Sequence, residues 1–200
     1  MNIYTELKRP ILALAPMEDV TDTVFRQIVL SLGRPSLFYT EFVNVEGLNS
    51  RGRDRVIHRL SYIKEEKPII AQLWGVKPEN FVYGAKLVKD MGFDGVDINM
   101  GCSVKNVVKN NAGSGLINED RGRVKEIIEA VMEGSDGLPV SVKTRLGFDS
   151  IDIDGWIAFL LSQNLEALTV HMRTARGENS INADWEHMGS IVALRDTISP

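Results

Sequence analysis

The sequence predicts an α/β protein that is a TIM (β/α)8 barrel, apparently truncated after about six βα units. Apolar strand-like runs alternate with helix-like segments along the whole chain, an order that is typical of a parallel sheet covered by helices. A polar residue lies at or just past the C-terminal end of each predicted strand, and in a barrel these ends converge on one mouth. These residues are Glu18, Glu41, Gln72, Asn99, Lys143 and His171.

An open doubly wound sheet is the alternative architecture, and it would spread the same strand ends along an edge. No G-x-G-x-x-G motif follows the first predicted strand, which argues against an open sheet that binds a dinucleotide. We therefore favour the barrel. A complete barrel needs eight units and typically about 250 residues. Residues 1–200 are thus expected to be the N-terminal part of a longer catalytic domain, with the last barrel strands outside this chain.

The predicted strands are short apolar runs, several of them bounded by proline or glycine. The first is I-L-A-L-A-P-M, and the third, P-I-I-A-Q-L-W-G, has Pro68 and Gly75 at its ends. The six predicted strands cover residues 11–17, 37–43, 68–75, 95–100, 139–146 and 167–173.

Helical spacing of apolar residues predicts the segments between the strands. Asp22 can cap a first helix that continues to Leu32, and Gly33 is a plausible end for it. Pro78 is a favoured first-turn residue for a later helix. The other helix-like segments lie at 51–60, 123–132, 154–161 and 185–195.

Composition limits the class of protein. The chain has 44% hydrophobic residues, enough for a substantial core, and a formal net charge of −4, so nucleic-acid contacts must come from local basic patches. A single cysteine cannot form an internal disulfide, which favours a reducing compartment. No secretory signal or bilayer-spanning run is visible. We expect a cytoplasmic protein without a metal or a membrane partner.

The stretch G-V-D-I-N-M-G-C-S-V-K, which begins at Gly95, contains the only cysteine, Cys102. It combines a buried strand, a thiol at the C-terminal end of that strand and a polar loop that ends in the small-residue segment A-G-S-G. A barrel enzyme places its chemistry at this position. Position alone leaves a second interpretation equally open, since most free cysteines are small buried apolar residues.

Seven motifs in order resemble those of the tRNA-dihydrouridine synthases, flavoenzymes that reduce uridine in tRNA. They are A-P-M-E-D-V-T-D, T-E-F-V, A-Q-L-W-G, D-I-N-M-G-C, A-G-S-G-L, V-K-T-R-L-G and V-H-M-R-T, and together they cover essentially the whole chain. The resemblance implies bound FMN, with NADPH as reductant and tRNA as substrate. It also implies a helical tRNA-binding domain after the barrel, absent from this chain.

The resemblance assigns roles to single residues. Cys102 is the implied proton donor to C5 of the uracil ring, while N5 of the reduced flavin passes hydride to C6. Burying a glutamine in an apolar strand is costly without a hydrogen-bond partner, and the flavin edge would be that partner for Gln72. The implied cofactor-binding residues are Pro16, Met17, Glu18, Gln72, Lys143 and His171.

Asn99, Lys105 and Arg173 are the implied substrate-binding residues. Asn99 has both the donor and the acceptor that a uracil amide needs. Lys105 flanks the cysteine and would contact the tRNA backbone, to which the base must be presented flipped out of its stack. Many family members have proline after the cysteine, whereas this chain has Ser103, which is expected to leave the loop less rigid.

Two other functions remain open on the residues alone. A Schiff-base aldolase would use a desolvated, neutral Lys143 and would not need Cys102. An RNA-binding barrel without catalysis would need neither, although the set of cysteine, glutamine, lysine and histidine is intact. The oligomeric state is not determined by the sequence, and a monomer is the expectation.

Overall fold

The computed structural model describes residues 3–178 and 180–198, and its centre is one sheet of six parallel strands. The strands lie in the sheet in chain order, each hydrogen-bonded to the next. A doubly wound sheet would reverse its strand order at a switch point, and this sheet does not. The prediction of barrel order is therefore confirmed. The strands are β1 (Ala13–Leu14), β2 (Leu37–Asn44), β3 (Ile69–Trp74), β4 (Gly95–Met100), β5 (Val140–Arg145) and β6 (Ala167–His171).

Alternation along the central strands separates a polar inner face from an apolar outer face, because successive side chains point to opposite sides of a sheet. On β4, Val96, Ile98 and Met100 belong to the apolar core, while Asp97 and Asn99 have the opposite parity. The same alternation in β3 and β5 aligns Gln72 with Asp97, and Asn99 with Lys143, in the strand register. Polar side chains thus collect on one face of the sheet.

Helices follow the strands and bury the outer face. The α-helices are α1 (Ile3–Glu6), α2 (Thr23–Leu32), α3 (Val45–Leu48), α4 (Pro78–Asp90), α5 (Lys105–Lys109), α6 (Arg121–Ser135), α7 (Ala158–Leu161) and α8 (Met188–Ile198). A π-helical turn covers Ile153–Ile157, and 3-10 turns cover Arg53–Arg55, Ile57–Leu60, Lys64–Glu66, Gly113–Asn118 and Trp185–His187. Within the described ranges no helix has the length and apolar character needed to span a membrane.

Helices α4 and α6 pack closely against each other at Gly134. A Cβ atom on Gly134 would lie 2.2 Å from the backbone oxygen of Val82, so glycine is needed where α6 crosses α4. Both helices cover β4, since Phe81, Val88 and Ile127 are fully buried in the core that contains Val96. This packing holds β4 from behind and leaves its C-terminal end free to carry a loop.

Two predicted elements differ from the structure. The first strand was expected over 11–17, but only Ala13 and Leu14 pair with β2, because Pro10 and Pro16 on either side cannot donate ladder hydrogen bonds. The segment 51–60 was expected to be one helix. It forms two 3-10 turns instead, separated at Val56, whose φ of −123° lies outside the helical range.

Other boundaries shift because local contacts decide where helices begin. The predicted helix over 154–161 starts as a π-helical turn that Asp152 caps, its side chain accepting the N–H of Gly155. The last predicted helix begins with a 3-10 turn and continues to Ile198. The segment 105–109, expected to be loop, forms the short helix α5.

A buried ion pair attaches α2 to the segment before β3. Arg26 and Glu66 are fully buried, with Nε of Arg26 2.6 Å from a Glu66 oxygen. The guanidinium also donates to the carbonyls of Thr21 and Ser61, and the second carboxylate oxygen accepts from the Thr23 hydroxyl. Every polar atom of the pair is therefore engaged, the condition under which a buried pair is tolerated.

Glu66→Ala is expected to lower the free energy of unfolding by about 3–5 kcal/mol, because it leaves the Arg26 charge buried without a counter-ion. Urea denaturation followed by circular dichroism measures the loss. Asp90→Ala is the matched control, since it breaks the exposed Lys86–Asp90 pair and should cost less than about 1 kcal/mol. Equal effects of the two variants would contradict this account.

Candidate active site

The loop after β4 presents Cys102 at the C-terminal end of the sheet, half-buried. Asn99 holds the start of the loop, because its Oδ1 accepts the backbone N–H groups of Gly101 and Cys102 at 3.1 and 2.9 Å. The carbonyl of Cys102 accepts from the N–H of Ser114 at 2.9 Å. Both backbone polar groups of the cysteine are thus bound.

The small-residue segment of residues 112–115 packs directly against the cysteine. Gly113 has a φ of +56°, and a Cβ atom there would lie 2.8 Å from the Cys102 carbonyl oxygen and 3.1 Å from the Cys102 Cβ. Only glycine satisfies both the left-handed backbone and this approach. The A-G-S-G segment therefore supports the back of the cysteine.

Arg145 clamps the same loop from β5. Its Nε donates to the Gly101 carbonyl at 2.8 Å, and its Nη1 donates to the carbonyls of Thr174 and Glu178. Its Nη2 reaches the Ser103 hydroxyl at 3.4 Å. The Arg145 guanidinium, 6% exposed as a residue, thus ties the cysteine loop to the loop after β6.

Beneath the loop lies a buried hydrogen-bond cluster, here called the Asp97 network and formed by Asp97, Ser141, Gln72 and Asn99. Asp97 accepts from the Ser141 hydroxyl and from Gln72 Nε2, the latter at 2.6 Å. Gln72 Oε1 accepts from Asn99 Nδ2 at 2.9 Å. Asp97 is fully buried, and burial raises the pKa of its carboxyl to about 6, against the hydrogen bonds from Ser141 and Gln72 and the charge of Lys143.

Lys143 and His171 lie at the C-terminal ends of the next two strands. Burial lowers the pKa of the Lys143 ammonium, although the charge of Asp97 acts in the opposite direction. Burial, together with the charges of Arg145, Lys143 and Arg173, lowers the pKa of His171 to about 4, so the ring is neutral at pH 7. Arg173 Nη1 donates to His171 Nε2 at 2.8 Å, which places the ring hydrogen on Nδ1.

The Cys102 thiol is kept protonated by its surroundings. Burial raises its pKa, and the negative charge of Glu18 acts in the same direction. A backbone hydrogen bond from Val104 and the charges of Arg145 and Lys143 oppose this shift without cancelling it. At neutral pH the group is a thiol that has a proton to give.

The segment after β1 brings Pro16, Met17 and Glu18 to the same end of the sheet. Met17 is 40% exposed, and Glu18 pairs with Arg59 at 2.7 Å. The other Glu18 oxygen, Oε2, is buried without a hydrogen-bond partner among the described residues. Burial raises the pKa of Glu18 in spite of Arg59.

Lys105 and Lys109 lie on α5, beside a cavity of about 420 Å³ that adjoins the cysteine loop. The buried hydroxyl of Ser114 lines the same cavity and has no partner in the described structure. A larger cavity, of about 470 Å³, lies between β6, α7 and α8 and contains none of the predicted site residues. The region 51–60 contributes Arg59, which pairs with Glu18 and Asp19.

The structure brings part of the predicted site together at the barrel mouth, and it places Gln72 and Asn99 deeper in the barrel. Cys102, Lys143, His171 and Glu18 lie at the mouth: the charges of Glu18 and Lys143 shift the pKa of Cys102, and the charge of Lys143 shifts that of His171. Gln72 is fully buried below them, and Asn99 is 7% exposed. Sequence reasoning missed Asp97 and Ser141, although both have the inward parity of Asn99 and Lys143 on their strands.

Comparison with known proteins identifies the chain at this point. The sequence model of the family "Dihydrouridine synthase (Dus)" matches residues 13–199. The chain belongs to the dihydrouridine synthase family. The sequence-based recognition is confirmed, and Cys102 with the loop that holds it lies inside the matched region.

Curated relatives in the dihydrouridine synthase family align with the whole chain. The protein named "Probable tRNA-dihydrouridine synthase 2" of Bacillus subtilis (strain 168) is 46% identical over 201 residues. A relative of similar name in Staphylococcus aureus (strain COL) is 45% identical. The alignments cover 100% of this chain but 61% and 60% of the two relatives, so the chain spans about three-fifths of their length.

Solved structures show the same fold at low sequence identity. Morphinone reductase superposes with a TM-score of 0.65 at 12% identity, covering 98% of this chain and 76% of the other. TcOYE, solved with pHBA, superposes with a TM-score of 0.59 at 14% identity, covering 98% and 79%. These likenesses concern the fold alone and agree with six units of a TIM barrel.

Alkylation of Cys102 by iodoacetamide is expected to be slow at pH 7. Its rate should still increase with pH above about 8.5, the pH at which an ordinary thiol is half ionised. The reason is that burial raises the pKa of the thiol, so little thiolate exists at lower pH. The rate against pH, followed by mass spectrometry, gives the midpoint. Glu18→Gln should move the midpoint down, and a wild-type midpoint below 8.5 would contradict the account.

Proposed function

We propose that this chain forms the greater part of the barrel of a tRNA-dihydrouridine synthase, which reduces the C5–C6 double bond of specific uridines in tRNA. The proposal includes FMN as the bound cofactor and NADPH as its reductant. One observation carries it: the Cys102 thiol, its backbone held by Asn99 and Ser114, stands at the barrel mouth near Lys143 in a chain of this family.

The residues at the mouth fit a flavin. No carboxylate or carbonyl is paired with the Lys143 ammonium in the described ranges, so this partly buried cation is available to an electron-rich ring. Pro16 is partly exposed and Met17 is exposed at the same end of the sheet, and Glu18 Oε2 lacks a donor among the described residues. When bound, reduced FMN would supply the hydride that adds to C6 of the uracil ring.

Cys102 would complete the reduction by giving its proton to C5. A donor must be protonated at the working pH, as an ordinary thiol is near neutrality, and burial raises the pKa of Cys102 further. The hydrogen bonds to Asn99 and Ser114 hold the cysteine backbone, and Gly113 packs closely against it. The neutral His171 ring, with its hydrogen on Nδ1, would contribute a donor without adding charge.

Gln72 and Asn99 stay predictions as ligand-binding residues. Each has one Nδ2 or Nε2 hydrogen beyond those used in the Asp97 network. Asn99 is the more accessible of the two, so it is the better placed to contact a flipped uracil.

Lys143 also satisfies one requirement of a Schiff-base aldolase, a lowered ammonium pKa. Family membership and the held Cys102 thiol support the reductase instead. The purified full-length protein should show the visible absorbance of a flavin if it is the reductase, and none if it is an aldolase.

Cys102→Ala in the full-length protein is expected to abolish dihydrouridine formation while leaving flavin absorbance and tRNA affinity within about twofold of the parent. The proton donor is lost, but neither ligand depends on the thiol for binding. Mass mapping of dihydrouridine in tRNA incubated with each protein measures the activity.

The matched control for that experiment is Ser162→Ala, a residue of similar size in an exposed helix end far from the loop. It should retain full activity. Turnover by Cys102→Ala at more than about a tenth of the parental rate would remove the proton-donor role, since general acid catalysis contributes 10²-fold or more.

The double variant Lys105→Ala/Lys109→Ala is expected to weaken tRNA binding and to reduce the slope of log affinity against log salt by about 1–2, one to two phosphate contacts. Filter binding of tRNA at salt concentrations from about 50 to about 200 mM measures this slope. Lys86→Ala/Lys125→Ala, two exposed lysines on α4 and α6, should leave it unchanged. An unaltered slope in the α5 variant would place the RNA elsewhere.

A further inference from the structure

The Asp97 network has a direction. A carboxylate only accepts hydrogen bonds, so Gln72 must turn its amide nitrogen towards Asp97 and its oxygen towards Asn99. Asn99 must then turn its nitrogen towards Gln72, which leaves its oxygen for the loop. Backbone N–H groups only donate, and that oxygen is the acceptor they require.

The other side of Asp97 has a fixed direction as well. The Tyr4 hydroxyl donates to Ser141 Oγ at 2.9 Å, so the Ser141 hydroxyl hydrogen is directed to Asp97. Tyr4 also lies 3.1 Å from the Tyr39 hydroxyl. Asp97 thus stands between two donors, the Ser141 hydroxyl and the Gln72 amide, and its acceptor-only character is what both require.

No other described group accepts the two loop N–H groups. Arg145 and Ser114 bind carbonyl oxygens of the loop, and Gly113 packs against it, but none of them offers an acceptor to the Gly101 or Cys102 amide. If the Asn99 amide turned over, its one amide nitrogen, a donor, would face the N–H groups of Gly101 and Cys102, and the loop would lose its attachment to the sheet.

We propose that Asp97 is a positioning residue for Cys102, which acts by fixing the orientations of the Gln72 and Asn99 amides and so attaching the cysteine loop to β4. The carboxylate does not touch the substrate or the thiol. The inference rests on the proposed function only for the use made of Cys102, and it concerns the loop geometry itself.

The decisive comparison is between Asp97→Asn and the double variant Gln72→Glu/Asp97→Asn in the full-length, flavin-free protein. In the single variant the oxygen of the new amide accepts from Ser141, and its nitrogen faces Gln72. Gln72 must then turn its oxygen towards position 97, and this reverses the side-chain amides of both Gln72 and Asn99. In the double variant a carboxylate at position 72 accepts from both neighbouring amides, so Asn99 regains its original orientation with the same net charge and nearly the same volume.

Amide hydrogen exchange of Gly101 and Cys102 measures the attachment, and iodoacetamide labelling of Cys102 measures its consequence. We expect exchange of these two amides to be at least about tenfold faster in Asp97→Asn, relative to Val96 and Ile98 in β4, and to return towards the parental rate in the double variant. Labelling of Cys102 should become faster and recover in the same order.

Ser141→Ala is the matched control, because it removes a hydrogen bond from the same carboxylate but leaves an acceptor facing Gln72. It should lower stability without accelerating exchange of the loop amides. If Asp97→Asn is too unstable to measure, protected loop amides in the double variant still support the inference.

Three results would overturn the inference: unchanged loop exchange in a folded Asp97→Asn, equal acceleration throughout β4, or loop amides that stay unprotected in a folded double variant. None of these results depends on flavin, tRNA or turnover. Failure of the proposed reductase activity would therefore leave this test intact, and the reverse also holds.

Discussion

The fully buried carboxylate of Asp97 is the interaction on which the geometry of the barrel mouth depends. A charge at the centre of a sheet is costly unless it is hydrogen-bonded, and here its donors are a serine hydroxyl and a glutamine amide. Each of these bonds has a fixed donor and acceptor. The bonds that satisfy the buried charge therefore also fix the side-chain orientations that hold the cysteine loop. The cysteine is held through Asn99, at the far end of the same network.

The mouth above the network combines low exposure with an excess of cations. Burial, with the charges of Lys143, Arg145 and Arg173, lowers the pKa of His171 and keeps its ring neutral, while burial raises the pKa of the Cys102 thiol. Arg145 contributes to this electrostatic field and also donates to the loop carbonyls, so hydrogen bonds rather than a carboxylate stabilise its buried charge. A protonated thiol near the Lys143 ammonium agrees with the reduction proposed above.

Much of the scaffold followed from local pattern, and the exceptions have physical causes. The strands β4 and β5 alternate apolar and polar residues and β3 is an apolar run interrupted by Gln72, patterns that tertiary contacts reinforce. The first strand is shorter than its apolar run because pairing depends on backbone donors, which Pro10 and Pro16 lack. The segment 51–60 has helical composition but divides into two turns at Val56. Leu60, in the second turn, is fully buried in the core.

The sequence by itself determined the barrel order, the position of the thiol at the end of β4 and the family, since these depend on residue order and motif spacing. Only the tertiary structure decided which side chains satisfy one another. It placed Gln72 and Asn99 in the Asp97 network, and it assigned Arg145 to the loop carbonyls. Those bonds join residues 25 to 44 positions apart, so their geometry arises only when neighbouring strands align in register.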